Sequence, residues 1–209
     1  MEVALIQVTT LSKERLEGLL SLLPKDFQEH VLKYGKEEDR LRSAAAYAFL
    51  NLTLSKGKNL KLAVDERGKP TIPGYSFSVS HSGDFAVLAY EEGERKLGAD
   101  IEQYREIELE KLAAFCFSDS EKQTWENSEG HLASFFCLWT RKEAYLKAVG
   151  LGLGLPLKSF SADEDVLNGL SIANFDVVEG YAFALCAEGP IDPHFRFVSL
   201  QEILSSYGI

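Results

Sequence analysis

The hydrophobic period of this chain changes repeatedly along its length, and it does so in similar order twice. Residues 3–8 alternate loosely, as a strand does. Residues 11–34 then carry helical spacing, broken at Pro24, and 37–55 form a second helical stretch with Leu41, Ala44, Ala45, Ala48 and Leu52 near i, i+3, i+4 positions. Strand patterns follow at 60–64, 77–80, 85–90 and 96–102, with turn chemistry at 65–70 and at Gly83-Asp84. Helical stretches return at 108–117, 118–127 and 130–149. Strand patterns follow near 157–161, 174–178, 181–187 and 195–199, with Glu179-Gly180 as a hairpin turn. Helices followed by strands in each series predict an α+β (α/β) fold built as two halves, residues 1–98 and 99–209. No low-complexity linker separates them, and the midpoint near residue 100 reads as a strand.

Composition narrows the function classes. The 209 residues are 45% apolar, with 13 Phe, 8 Tyr and 2 Trp, which excludes wholesale disorder. The net charge is −10 and unevenly placed: residues 1–98 hold 14 basic and 14 acidic side chains, and residues 99–209 hold 8 and 18. A uniformly basic nucleic-acid binder is therefore not expected. The acidic half reads as a solvated surface or as carboxylates gathered round a cation. Cys116, Cys137 and Cys186 have neither the even count of a disulfide framework nor the spacing of a zinc site. The start, Met1-Glu2-Val3-Ala4-Leu5-Ile6, lacks the features of a signal peptide, and no apolar run approaches the ~20 residues that span a bilayer. A cytoplasmic protein with no membrane partner is the expectation.

Two segments combine charge with core-facing geometry. In Leu97-Gly98-Ala99-Asp100-Ile101-Glu102, strand alternation sends Leu97, Ala99 and Ile101 to one face and Gly98, Asp100 and Glu102 to the other. The two carboxylates either guard an exposed strand edge or serve a cation, with Gly98 clearing space beside them. In the helix from His131 to Val149, Leu132, Phe135, Phe136, Trp139 and Leu146 form the apolar stripe, and Glu143 and Lys147 fall on the same stripe. A carboxylate on a buried face needs a partner. For Glu143 that partner is Lys147, a metal ion, or both. Asp100, Glu102 and Glu143 together are hard oxygen donors suited to Mg²⁺, with Mn²⁺ possible.

A phosphate ligand needs cations, and the neutral half offers them. Lys36, Arg40, Arg42 and then Ser43 lie on or near one helix, Lys69 sits in the turn Gly68-Lys69-Pro70, and Ser80-His81 ends a strand. The plainer alternatives are a solvated helix face and a satisfied turn histidine. Gly150-Leu-Gly152-Leu-Gly154 follows a helix and lacks phosphate-loop spacing, so Gly150 reads as a helix C-terminal cap. Ser78-Val-Ser80-His81-Ser82-Gly83 does not have the spacing of a hydrolase serine.

Five segments, in order, resemble the 4′-phosphopantetheinyl transferases of the surfactin-synthetase-activating type. They are Glu38-Asp39-Arg40-Leu41-Arg42-Ser43, Gly68-Lys69-Pro70, Phe77-Ser78-Val79-Ser80-His81-Ser82-Gly83, Gly98-Ala99-Asp100-Ile101-Glu102, and the run Trp139 to Lys147 with its W-x-x-K-E-x-x-x-K pattern. The resemblance implies two similar halves related by a pseudo-twofold, each a small, mostly antiparallel sheet with helices packed on it, and coenzyme A in the cleft between them. It implies a monomer that moves the phosphopantetheine arm of coenzyme A to a serine of an apo acyl or peptidyl carrier protein, leaving 3′,5′-ADP. It further implies Mg²⁺ on Asp100, Glu102 and Glu143, and a catalytic set of Glu143, Lys147 and Asp100. Cofactor binding falls to Arg42, Ser43, Gly68, Lys69, Pro70, Ser80 and His81. Alternatives from other classes are a catalytically silent coenzyme A or carrier-binding module and a Mg²⁺-dependent phosphohydrolase.

Overall fold

The computed structural model describes residues 1–8, 13–55, 60–66 and 69–208. The elements in chain order are β1 (Glu2–Gln7), α1 (Lys13–Leu22), α2 (Lys25–Val31), α3 (Glu37–Ser55), β2 (Ala63–Val64), β3 (Pro70–Thr71), β4 (Tyr75–Ser82), β5 (Phe85–Glu92) and β6 (Leu97–Gln103). They continue with α4 (Leu109–Cys116), α5 (Asp119–Glu126), α6 (His131–Val149), β7 (Val166–Leu167), β8 (Leu170–Asn174), β9 (Tyr181–Glu188), β10 (His194–Ser199) and α7 (Leu200–Ser206). The chain is thus mixed α+β, and it divides into two compact units: Met1–Gly93 with Pro193–Ile209, and Glu94–Asp192. That division differs from a cut after Gly98. The strand expected at the midpoint, β6, pairs antiparallel with β9 and so belongs wholly to the second unit. Residues from 193 onward return to the first unit, because β10 pairs in parallel with β1 along its whole length.

In the first unit the sheet order is β10-β1-β5-β4. Pro24 ends the α1 segment and starts α2, since it cannot supply an N–H to a continuing helix. The long helix α3 is buried from Leu41 through Leu50 at all but a single position, with four alanines among those residues. Small side chains let its backbone lie close to the sheet, where Tyr47 meets Phe77 of β4 edge to face. The helix α7, for which no periodicity stood out, is capped by Ser199 and buries Leu200, Ile203 and Leu204 in the same core.

In the second unit the sheet order is β6-β9-β8-β7, antiparallel throughout. The expected strand at 157–161 is a single 3₁₀ turn, Leu157–Ser159. Pro156 fixes the entry angle, and both the N–H and the hydroxyl of Ser159 close onto the Pro156 carbonyl. The strand expected at 174–178 begins earlier, at Leu170, because Asn168-Gly169 makes a two-residue hairpin turn with φ of 50° and 80°. That dipeptide is the strongest short hairpin signal a sequence carries. Gly150 ends α6 in the left-handed conformation, and the Leu151 N–H returns to the Leu146 carbonyl, so the cap reading of Gly150 stands. Each unit therefore carries a four-stranded sheet and one 19-residue helix. Among the described residues no helix is long and apolar enough to cross a membrane.

Candidate active site

The second unit brings Asp100 up to Glu143 and Lys147 through one glycine. On β6, Gly98, Asp100 and Glu102 share a face as the alternation requires, and that face looks toward α6. A Cβ on Gly98 would lie 1.9 Å from the Ala144 carbonyl oxygen and 2.6 Å from the Ala148 nitrogen. Helix and strand meet backbone to backbone, which only glycine permits. Glu143 and Lys147 lie beside Ala144 and Ala148 on the helix, so close contact at Gly98 delivers them to the carboxylates of the strand. Asp100 is only 4% exposed, which removes the reading of its carboxylate as a solvent-facing edge guard.

The electrostatics follow from this packing. Lys147 Nζ lies 2.7 Å from Asp100 Oδ1. The Lys147 ammonium thus reaches across the strand–helix contact to Asp100. Glu143 feels Lys147 through space, together with Asp100 and Glu102. Burial, and next the negative charge of Asp100, raise its carboxyl pKa to about 7, against a weaker opposing pull from Lys147. Glu102 accepts a hydrogen bond from Arg105 at 2.8 Å on the surface.

The three carboxylates fit Mg²⁺ in kind, as hard oxygen donors. Among the described residues, however, no three acidic, imidazole or thiol side chains converge as a metal cluster. Two of the three carboxylates meet cationic groups of the protein, Asp100 the Lys147 ammonium and Glu102 the Arg105 guanidinium. What exists is a set of donors around one strand–helix contact, not a closed cage.

Among the described residues, the most deeply buried charged pair is one that periodicity did not single out. Lys142 and Glu121 side chains are both 0% exposed, with Lys142 Nζ 2.6 and 2.8 Å from the two Glu121 oxygens. Lys142 also donates to the Phe160 carbonyl and lies 4.2 Å from the centroid of that ring. Glu121 accepts from the backbone N–H groups of Ser118 and Ala162. The pair therefore ties α5 and the 160–162 segment to α6 one residue before Glu143. The signal for Glu121 was present as Ser118-x-x-Glu121, a capping box, which the structure forms. That box foretells a helix start, not burial of its acid. Lys142→Met is expected to destabilise the protein by about 3–5 kcal/mol by leaving Glu121 buried and unpaired, and the double variant Lys142→Met/Glu121→Gln to regain most of that in urea titrations.

In the first unit, Asp39 and Arg42 of α3 meet His81 of β4. Arg42 Nη1 donates to Asp39 Oδ1 at 3.1 Å, and His81 Nδ1 lies 3.6 Å from the same oxygen. Ser43 is fully buried, and its hydroxyl has no hydrogen-bond partner; nor does the buried Nε of Arg42. Orphaned buried donors are rare and point to a missing acceptor. Arg42, Ser43 and His81 are thus brought into one neighbourhood. Ser80 is not: adjacent residues on a strand face opposite ways, and its side chain lies on the other side of the sheet from His81. Lys69 and Pro70 stand on the separate ribbon β2–β3, where the Lys69 N–H donates to the Asp65 carboxylate at 2.8 Å. Gly68 lies outside the described residues.

Residues 96–190 match the family model of the 4′-phosphopantetheinyl transferase superfamily, a span that nearly coincides with the second unit. The chain is 29% identical to 4′-phosphopantetheinyl transferase Sfp of Bacillus subtilis (strain 168), over 93% of this chain and 95% of that protein. It is 29% identical to 4′-phosphopantetheinyl transferase gsp of Aneurinibacillus migulanus, over 81% of this chain and 78% of that protein. With 4′-phosphopantetheinyl transferase psf-1 of Bacillus pumilus the identity is 34%, over 66% of this chain and 65% of that protein. The match thus covers the acidic strand–helix contact of the second unit and reaches across the cationic cluster of the first, and the chain belongs to the 4′-phosphopantetheinyl transferase superfamily.

Proposed function

We propose that this chain transfers the 4′-phosphopantetheine arm of coenzyme A to a serine hydroxyl of an apo acyl or peptidyl carrier protein. The single observation that carries the reading is the strand–helix contact at Gly98, which gathers Asp100, Glu143 and Lys147, in a chain of this family. In the reaction the serine Oγ forms a bond to the phosphorus that bears the pantetheine. The bond from that phosphorus to the bridging oxygen breaks, and 3′,5′-ADP leaves. Such displacement depends on charge neutralisation and alignment more than on a covalent intermediate.

Glu143 takes the proton of the serine hydroxyl. Without a metal, burial and the charge of Asp100 raise its carboxyl pKa to about 7, and a bound cation would draw it back toward the carboxylate form that accepts a proton. Lys147, held by Asp100, faces the charge that develops on the pyrophosphate. Asp100, Glu102 and Glu143 would hold Mg²⁺ or Mn²⁺, which supplies further neutralisation of the pyrophosphate when bound. In the first unit, Arg42, Ser43 and His81 bind the 3′-phosphate region of coenzyme A, a role supported by the orphaned donors Arg42 Nε and Ser43 Oγ. Lys69, with its neighbours Gly68 and Pro70, lies along the nucleotide. The protein works as a monomer in the cytoplasm, and its three free thiols suit a reducing compartment.

The test is intact-mass spectrometry of several apo carrier proteins incubated with coenzyme A, Mg²⁺ and this protein. The expected result is addition of one phosphopantetheine to a carrier, abolished by a chelator and restored by excess Mg²⁺ or Mn²⁺. Binding of coenzyme A with no mass change on any carrier would instead identify a silent binding module. Release of nucleotide without a carrier would identify a phosphohydrolase.

A further inference from the structure

Asp39 presents a puzzle of charge. It stands in the first turn of α3, beside the residues assigned to an anionic phosphate, where its own negative charge opposes the ligand. The geometry resolves it. One oxygen, Oδ1, faces two cation-forming side chains from two different elements: Arg42 Nη1 on the helix at 3.1 Å and His81 Nδ1 on the strand at 3.6 Å. The imidazole is also met by the Tyr34 ring, edge to face at 5.3 Å. Tyr34 in turn gives its carbonyl to Arg40 Nε at 2.7 Å.

We propose that Asp39 is a positioning residue that assembles the phosphate-binding group by holding Arg42 and His81 in place before coenzyme A arrives. The proposal rests on the reading of Arg42, Ser43 and His81 as the 3′-phosphate site. Arginine has a long, rotamer-rich side chain, and ordering it on binding costs affinity. With Nη1 fastened to Asp39, that ordering is done in the free protein. The buried Nε of Arg42 is left without a partner, as the Ser43 hydroxyl is. Holding Nδ1 of His81 toward Asp39 aims the opposite ring nitrogen, Nε2, away from the carboxylate. The acid lowers net charge at the site and supplies order in return.

The test compares coenzyme A with 3′-dephospho-coenzyme A, using the intact protein, by calorimetric binding and by steady-state transfer to a carrier. For Asp39→Ala the expected result is about a tenfold rise in Kd and KM for coenzyme A, the size of one lost ordered charge-assisted contact, with kcat within about threefold. Kd and KM for the dephospho compound are expected to stay unchanged, since it does not engage the site. Asp39→Asn keeps an oxygen that accepts from Arg42 and is expected to restore affinity to within about threefold of the parent. Unchanged or tighter coenzyme A binding by Asp39→Ala would overturn the proposal. So would an equal loss for both compounds, which marks a general effect on the fold. A parent protein that binds both compounds equally would remove the phosphate site itself, and Asp39 with it; discrimination by the parent that survives Asp39→Ala would remove Asp39 alone.

Discussion

Replacing Gly98 with alanine is expected to silence transfer and to destabilise the second unit. The added Cβ would sit 1.9 Å from one backbone atom of α6 and 2.6 Å from another. Neither is the movable end of a side chain, so the helix itself must retreat from β6. Forced overpacking of this kind costs about 3 kcal/mol or more. Retreat also separates Lys147 from Asp100 and draws Glu143 away from the strand carboxylates, on which the chemistry depends. A displacement of about 1 Å at such a site is enough for roughly a hundredfold loss of turnover. Urea denaturation read alongside carrier modification checks both parts. Parental stability and turnover in Gly98→Ala would show that the close approach of strand and helix is not what builds the site.

Glu143→Gln is expected to have the larger effect on chemistry and the opposite effect on stability. The amide cannot accept the serine proton, so kcat is expected to fall by about 10²–10⁴, the usual contribution of a positioned base. Coenzyme A binding is expected to hold within about threefold; an equal collapse of binding would make Glu143 a ground-state binding group. Stability follows from linkage. The carboxyl titrates at about 7 in the fold against 4.5 ordinarily. Between those values the folded protein holds a proton that the unfolded chain has released. Folding stability from this group therefore falls as pH rises from about 4.5 to 7, with no penalty below that window and the full penalty above it. Gln carries no such penalty. In chelator, the variant is expected to match the parent at pH 4 and exceed it by about 2 kcal/mol at pH 8, allowing for partial solvent access. A stability difference that does not change with pH would mean that Glu143 is not held at raised pKa by Asp100 and burial.

These effects show how unevenly the site was written into the sequence. Alternation along 97–102 was enough to place Asp100 and Glu102 on one face with Gly98, because the period of a strand is invariant. Helical projection was enough to put Glu143 and Lys147 on one face of α6, but that face is only half-buried at both positions, while Arg141 and Lys142 beside them are enclosed. Neither could show that the two faces meet, since that depends on Gly98 lying under Ala144 and Ala148, residues more than forty positions away. Pairing choices were equally hidden. Lys147 stands one turn from Glu143, yet its ammonium goes to Asp100. Lys142 pairs with Glu121, more than twenty positions earlier in the chain, and both side chains are fully buried. Alternation along β4 sends Ser80 and His81 to opposite faces of the sheet.

By itself the sequence determined several local elements: helix α3 from Glu37 to Ser55, the cap at Gly150, the break at Pro24 and the turn at Gly83-Asp84 that joins β4 to β5. These rest on backbone rules that act within a few residues, so nearby side chains suffice to specify them. Only the tertiary structure decided that the last strand, β10, returns to pair in parallel with β1, which draws residues 193–209 into the first unit. It alone decided that Asp39 reaches both Arg42 and His81, and that the half-buried carboxyl of Glu143 is raised to about 7 by desolvation and Asp100. Pairing, desolvation and charge coupling depend on groups that are distant in the chain and close in space. Their energies come into being only when the fold brings those groups together.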